Sequence, residues 1–256
     1  MKYYISSPNK GGLQLFENNN LSQIKNGNFR GLTYKEETLY FVNGDKIYNF
    51  HTQVFNDLPN RLWHDIKYCD KKKCFYLISS ETQELLEISP TGKIKKQIKF
   101  NSSFWPNCCL PIFDTQLIVF LSVKRPYSKS KIICLNEKLE ILWEYLCFEN
   151  DEIHSPFLFQ EHLYWCRSNK NCVVKASLDS KLRDAKKIII NNFGYTRGLH
   201  ISENYIVLGT SENRHSENSC CQSIVDHGCV HFYNTDNFNL QKTIHLSYKE
   251  VYDILC

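Results

Sequence analysis

Apolar residues in this chain occur in short clusters, most of them about four to seven residues long and rich in Ile, Val, Phe and Tyr. Asn, Asp, Gly, Ser and Lys separate the clusters, and helical periodicity is nearly absent. Short apolar runs bounded by turn-forming residues predict short β-strands. Asn43-Gly44-Asp45, between residues 39–42 and 46–50, is typical of a hairpin turn. The pattern predicts an all-β chain.

A three-residue pattern recurs along the chain: a polar residue, then a small or polar one, then an apolar one, with a second strand-like segment about nine residues later. Its instances begin at Arg30, His64, Cys109, His154, Arg197 and Tyr252. They lie 34 to 55 residues apart, and each interval has room for four short antiparallel strands. A period of about 40 to 45 residues with four strands per unit is typical of a β-propeller.

The last instance of the pattern lies too close to the end of the sequence to have its own partner strands. Strand-like segments at residues 2–6, 12–16 and 21–25 can supply them. We therefore predict one domain, residues 1–256, folded as a six-bladed β-propeller whose last blade is closed by strands from both termini. The expected blades are 28–60, 61–104, 105–150, 151–193, 194–247, and 248–256 with 1–27. Five blades is the alternative, because the first interval is short.

Residues 211–228 form a polar insertion without a strand period, which we predict to be a long loop on one rim of the propeller. The segment and its flank carry ligand types that zinc prefers: His215, Cys220, Cys221, His227 and Cys229. Cys220 and Cys221 are adjacent and no C-x-x-C spacing occurs, so the sequence favours a surface loop over a zinc site.

Composition narrows the classes of function. With 42% apolar and 23% charged residues, the chain is typical of a globular protein. A net charge of +4 does not indicate a nucleic-acid partner. The longest apolar run, residues 117–121, is far shorter than the roughly 20 residues of a membrane span. The sequence shows no secretory signal pattern, and most of the 12 cysteines lie in apolar runs. These features favour a cytoplasmic location and reduced thiols.

Three segments near the C-terminal end resemble an uncharacterised bacterial family with a propeller-like fold, whose genes often lie near sugar-transfer genes. The segments are Gly194-Tyr-Thr-Arg-Gly-Leu-His200, Gly228-Cys-Val-His-Phe-Tyr-Asn-Thr-Asp236 and Glu250-Val-Tyr-Asp-Ile-Leu255. The resemblance covers about the last 60 residues well and implies a fold without an established chemistry.

In architecture the chain is also similar to the six-bladed lactonase and strictosidine-synthase group. Lactonases of that group hold a divalent cation through Glu, Asn and Asp. Asp65 and Asp253 occupy the corresponding ring here, but no Glu does. The resemblance therefore does not extend to metal-dependent lactonase activity, and no cofactor is expected. A channel cation, or zinc in the 211–228 loop, is the less favoured alternative.

The first strand of each propeller blade lines the central channel, so aligned repeat positions predict a ring of side chains. Arginine offers a planar fork for carboxylate or phosphate, and histidine exchanges protons near neutral pH. We therefore predict that an anionic ligand contacts Arg30, Arg197, His200, Tyr252 and Cys109. The alternative is structural polarity, in which these groups satisfy one another and Gly31 and Gly198 relieve crowding.

These observations predict a propeller that binds a small anionic molecule, with sugar derivatives as the candidate class. If the site is catalytic, we expect a hydrolase or lyase, with a histidine as general acid or base, an aspartate orienting it and arginine holding the anion. The candidates for the acid–base pair are His64, Asp65, His154 and Asp253. A nucleophilic Cys109 is a less favoured mechanism. The alternative to all of these is a non-enzymatic protein-interaction platform.

Overall fold

The computed structural model describes residues 1–50, 52–59, 61–113, 115–123, 129–149, 151–190, 194–212 and 227–256. The strands in these segments form six four-stranded antiparallel sheets. The only helical element among the described residues is a 3-10 turn, Ser168–Lys170. The chain is a six-bladed β-propeller, as predicted, and the five-bladed alternative is wrong.

Five of the six sheets take their strands in chain order. The first has β4 (Phe29–Lys35), β5 (Thr38–Asn43), β6 (Lys46–Asn49) and β7 (Gln53–Val54). The second has β8 (Asp65–Cys69), β9 (Cys74–Ser79), β10 (Glu84–Ile88) and β11 (Ile94–Lys99). The third has β12 (Phe104–Ile112), β13 (Gln116–Val123), β14 (Lys129–Leu135) and β15 (Ile141–Glu149). The fourth has β16 (Ile153–Phe159), β17 (His162–Arg167), β18 (Cys172–Ser177) and β19 (Lys186–Ile190). The fifth has β20 (Tyr195–Ile201), β21 (Tyr205–Ser211), β22 (Cys229–Asn234) and β23 (Leu240–His245).

The sixth sheet combines the two ends of the sequence. It contains β1 (Lys2–Ser7), β2 (Gly12–Glu17), β3 (Asn20–Lys25) and β24 (Asp253–Leu255), in the order β24-β1-β2-β3. Ile5 lies opposite Ile254, and the Asp253 amide donates to Ser6 Oγ over 3.1 Å. The predicted closure of the last blade by both termini is confirmed.

By its internal contacts the chain divides into two compact units: unit 1 is residues 1–29 and 152–256, and unit 2 is residues 30–151. Each unit holds its core between neighbouring sheets. In unit 2, Cys109, Val119 and Ile133 pack with side chains of β8 to β10; in unit 1, Tyr3 and Phe232 belong to one such cluster. The assignment of residues 1–256 to one domain stays a prediction.

Burial follows strand position within each sheet. Strand β9 is buried along its whole length, whereas nearly every residue of the outer strand β11 is exposed. A strand covered on both faces reads as a continuous apolar run, which is why simple alternation is rare in this sequence. Nine of the ten described cysteines are buried and Cys256 is exposed, and all ten are free thiols.

The recurring three-residue pattern marks an irregularity of the first strand in several sheets. The pairing register shifts between Pro106 and Cys108 in β12, between His154 and Phe157 in β16, and between Thr196 and Leu199 in β20. These shifts are β-bulges, which turn side chains out of the regular alternation. Ser155 and Gly198, inside two of the bulges, have φ of +55° and +70°. Glycine is favoured at such an angle.

Strand β21 ends at Ser211 and β22 begins at Cys229, as the predicted insertion requires. Residues 213–226 lie outside the described segments, and with them three of the zinc candidates, His215, Cys220 and Cys221. In the described part of the chain, no helix has the length and apolarity needed to span a membrane.

Candidate functional site

The second position of the repeat joins neighbouring sheets in unit 2. Asp65 is buried, and its Oδ2 accepts a hydrogen bond from the Cys109 amide of the next sheet over 3.0 Å. Its Oδ1 accepts from the Ile66 amide over 2.9 Å and lies 3.6 Å from Lys67 Nζ. A Cβ added to Gly31 would come within 2.3 Å of Asp65 Oδ1. The glycine therefore allows the close approach of the two sheets.

In unit 1 the second position of the repeat also joins neighbouring sheets, but through different chemical groups. Ser155 Oγ accepts a hydrogen bond from the Gly198 amide over 2.8 Å. A Cβ on Gly198 would lie 2.9 Å from Ile254 Cγ1 in the sheet that follows. Asp253 Oδ1 accepts from the Ile254 amide over 3.0 Å. The crowding expected at Gly31 and Gly198 is thus present at both glycines.

The first position of the repeat places three predicted site residues in unit 2. Arg30 is half-buried on β4. His64 Nδ1 lies 2.9 Å from the carbonyl oxygen of Asn107. A carbonyl only accepts, so Nδ1 of His64 carries a proton.

Cys109, the third first-position residue of unit 2, lies in the core with no exposed surface. Burial raises the pKa of its thiol well above the ordinary value, and the Asp65 carboxylate adds to this shift. A neutral thiol without solvent access is a poor nucleophile, so the geometry favours a packing role.

The other three first-position residues, His154, Arg197 and Tyr252, meet in unit 1. With Tyr195 they form what we call the Arg197 site. Arg197 Nη2 lies 2.9 Å from His154 Nε2. The guanidinium carbon stands 5.3 Å from the Tyr195 ring centroid and 4.9 Å from that of Tyr252, within the range of cation–π attraction. His154 and both tyrosines are buried, whereas Arg197 is half-buried. The arginine is therefore fixed and keeps contact with solvent.

The hydrogen bonds set the protonation of His154. A guanidinium has donors only, so His154 Nε2 must accept from Arg197. The ring proton then lies on Nδ1, which is 2.8 Å from Ser168 Oγ. His154 is accordingly a neutral imidazole oriented by a serine; the sequence had predicted an aspartate in that role.

Two further groups extend the Arg197 site beyond the repeat. The Tyr195 hydroxyl donates to Glu152 Oε2, and burial raises the pKa of Tyr195, so the phenol stays protonated. Sequence reasoning missed Tyr195, Glu152 and Ser168. Tyr195 lies two positions before Arg197 on β20, so strand alternation could have indicated it. Ser168 lies in the 3-10 turn, and the repeat gives no signal for it.

His200 lies further along β20, against aromatic rings. Its ring centroid is 4.9 Å from that of Phe157 and 5.7 Å from that of Tyr3. Burial lowers its pKa to about 4, with a smaller opposing effect from Asp253. Its Nδ1 has no hydrogen-bond partner among the described residues. His200 is thus neutral at pH 7.

The described residues contain no group of three or more His, Cys, Asp or Glu side chains arranged to hold a metal ion. Of the zinc candidates inside the described segments, Cys229 Sγ lies 3.8 Å from the His227 carbonyl oxygen and 3.5 Å from His245 Nδ1. The convergence of all six first-position residues stays a prediction.

The chain matches no family model and no curated protein sequence. It is similar in structure to a protein of unknown function from Bacteroides caccae: TM-score 0.69, 8% identity, 99% of this chain and 97% of that chain covered. It is also similar to luciferin-regenerating enzyme: TM-score 0.66, 12% identity, coverage 88% and 78%. The WD40 β-propeller domain of Doa1 matches with TM-score 0.63, 11% identity, and coverage of 98% and 82%.

Identities this low show the fold alone. The chain is a six-bladed β-propeller with an arginine-centred polar cluster in unit 1. The fold is compatible with binding of small molecules or with protein interaction, as its hosting of an enzyme and a WD40 domain illustrates.

Proposed function

We propose that this protein binds a small anionic molecule at the Arg197 site, with the carboxylate or phosphate of a sugar derivative as the recognised group. The observation that carries the proposal is the placement of the Arg197 guanidinium, bonded to His154 and standing over the rings of Tyr195 and Tyr252. Neither His154 nor Tyr195 is negatively charged in the protonation states derived above. A fixed guanidinium suits planar two-oxygen anions because its N–H groups form a matching fork.

The Arg197 side chain is held in place before any ligand binds. A long arginine side chain loses rotamer freedom when it binds a ligand, and that entropy cost reduces affinity. At the Arg197 site the cost is already met in the folded protein, because His154 and the two rings hold the side chain.

The resting contacts suggest how proton transfer would be coupled to binding. His154 Nε2 accepts from Arg197 in the described state. An anion that draws the guanidinium toward itself would weaken this bond and release the Nε2 lone pair. His154 would then act as general base in a hydrolase or lyase reaction. Contacts from Arg30 and His64 to the same ligand stay a prediction.

Isothermal titration calorimetry tests the proposal with inorganic phosphate, glucose 6-phosphate and glucuronate as probes and glucose as the uncharged comparison. We expect Arg197→Met to weaken binding of the anionic probes at least tenfold and Arg197→Lys to weaken it less, since lysine keeps the charge but not the fork. Arg183→Met is the matched control, because Arg183 is an exposed arginine of the same unit. Thermal unfolding checks that each variant is folded.

Binding of anions to Arg197→Met with unchanged affinity, or absence of binding to the native protein, would overturn the proposal. Either result would favour the alternative, a protein-interaction platform. His154→Gln separates binding from catalysis, because an amide oxygen can still accept from Arg197 but cannot transfer a proton. If the site is catalytic, this variant keeps affinity for the anion and loses turnover.

A further inference from the structure

A cavity of about 340 Å³ lies in unit 1, lined by residues of the sheet β24-β1-β2-β3 and of the sheet β20-β21-β22-β23. Its apolar wall consists of four aromatic side chains: Tyr3, Phe16, Tyr205 and Phe232. The volume is at the lower end of the range for pockets that hold small molecules. The cavity therefore has room for a ligand of one or two rings.

The aromatic wall is arranged around Phe232. The centroid of its ring lies 5.6 Å from that of Tyr3, 5.7 Å from that of Phe16 and 6.1 Å from that of Tyr205. The corresponding interplanar angles are 73°, 51° and 85°. Aromatic rings attract one another at such steep angles because the positive edge of one ring meets the negative face of the next. A ligand ring in the cavity would extend this packing and remove its own apolar surface from water.

The polar part of the lining carries a positive charge. Lys242, on β23, is the only charged side chain that lines the cavity, and no aspartate or glutamate does. Its Nζ lies 4.9 Å from the Phe16 ring centroid and donates to Asn19 Oδ1 over 2.8 Å. Within the described segments no carboxylate pairs with Lys242. An ammonium group has three donors, so the lysine can still bind an anion.

The turn between β2 and β3 holds this lysine beside the aromatic wall. Asn18 and Asn19 have φ of +50° and +64°. Two such residues in succession form the tight turn that matches the twist of a hairpin, and asparagine is among the residues that adopt it readily. The turn fixes Asn19, which accepts from Lys242. The charge is therefore positioned before any ligand binds.

We propose that this cavity binds a small aromatic carboxylate, with its ring against the aromatic wall and its carboxylate at Lys242 Nζ. The wall favours an aromatic ring over a saturated one, and the ammonium favours an anion over a neutral molecule. The cavity shares no residue with the Arg197 site. The inference is thus independent of the proposed function.

Isothermal titration calorimetry tests the proposal with benzoate as the probe. Benzyl alcohol is the uncharged comparison and cyclohexanecarboxylate the non-aromatic one. We expect benzoate to bind about fivefold more tightly than benzyl alcohol and about threefold more tightly than cyclohexanecarboxylate. Lys242→Met should weaken benzoate binding about fivefold and leave benzyl alcohol binding unchanged.

Lys175→Met is the matched control. Lys175 also belongs to unit 1 and its Nζ lies 5.5 Å from the Tyr164 ring centroid, but it does not line the cavity. This variant should bind benzoate with native affinity. Thermal unfolding checks that both lysine variants are folded.

Arg197→Met separates this cavity from the Arg197 site, since a carboxylate is also a candidate ligand there. We expect this variant to keep native affinity for benzoate. Loss of benzoate binding in Arg197→Met but not in Lys242→Met would place benzoate at the Arg197 site and overturn the present inference. The proposed function would not be affected by that result.

Nuclear magnetic resonance gives a second measurement that does not depend on a variant. Benzoate should shift the side-chain amide signals of Asn18, Asn19 and Gln241, which line the cavity, and not that of Asn237, an exposed residue of the same unit. Unchanged amide signals at about 10 mM benzoate would overturn the proposal. So would native affinity for benzoate in Lys242→Met, or equal affinity of the native protein for benzoate and either comparison compound.

Discussion

Two instances of the repeat, His64-Asp65 in unit 2 and His154-Ser155 in unit 1, start from similar residues and reach different local chemistry. In both, the second residue accepts a hydrogen bond from a backbone amide of the next sheet: Asp65 from Cys109 and Ser155 from Gly198. The histidines differ. His64 faces a backbone carbonyl, whereas His154 accepts from Arg197. The second position of the repeat thus makes the same kind of contact between sheets in both units. The hydrogen bonds of the histidine before it depend on the neighbouring residues.

The difference between a carboxylate and a hydroxyl at this joint can be measured. Asp65→Ala removes a buried charge that receives two amides and faces Lys67. We expect the free energy of unfolding to fall by about 3 kcal/mol, because those donors lose their partner and a buried pair is broken. Urea unfolding checks this, with exposed Asp57→Ala as the control. A loss no larger than that of the control would show that Asp65 does not join the sheets.

Acid should destabilise unit 1 more than unit 2. Burial lowers the pKa of His200 and His231, both in unit 1, to about 4. The unfolded chain therefore binds more protons than the folded chain below about pH 6.5, so stability is full above that pH and falls as the pH drops toward 4. At pH 5.5 we expect a loss of roughly 1 kcal/mol per histidine.

Hydrogen exchange at pH 7.5 and 5.5, corrected for intrinsic rates, locates the acid effect. Peptides from β20 to β22 should lose protection before peptides from β8 and β9. His200→Gln should reduce the pH dependence of urea unfolding by about half, since one of two such histidines is removed. Equal loss in both units would contradict the assignment.

The smallest loss of stability is expected when the hydrogen bond between Ser155 and the Gly198 amide is removed. Ser155→Ala leaves the Gly198 amide without its acceptor, and we expect the free energy of unfolding to fall by about 1 kcal/mol. Ser103→Ala, at an exposed serine, is the control. A loss as large as that of Asp65→Ala would remove the distinction between the two joints.

Much of the fold could be predicted because short strands, turn residues and a regular spacing are local signals. The Asn43-Gly44-Asp45 turn joins β5 and β6, and Gly44 has the positive φ that such turns need. The site was harder, because bulges in β12, β16 and β20 change which side chains share a face, and the repeat does not show how each bulge turns its side chains. The repeat therefore predicted that Cys109 lines the channel, although its side chain is buried. The partner of His154, Ser168, comes from a turn that only the folded sheet brings near.

The sheet made from both ends of the sequence has a consequence for the order of events during synthesis. Among the described strands, β1 to β3 are synthesised before the others, and their partner β24 is synthesised after the others. At a synthesis rate of about 5 to 20 residues per second, the edge of β1 lacks its partner β24 for on the order of ten seconds or more. Throughout that interval the nascent chain offers a strand-accepting surface to any neighbouring polypeptide. Strand β24 therefore completes the propeller late in synthesis. The three residues Asp253–Leu255 compete with other polypeptides for the edge of β1, and their attachment to the same molecule favours them.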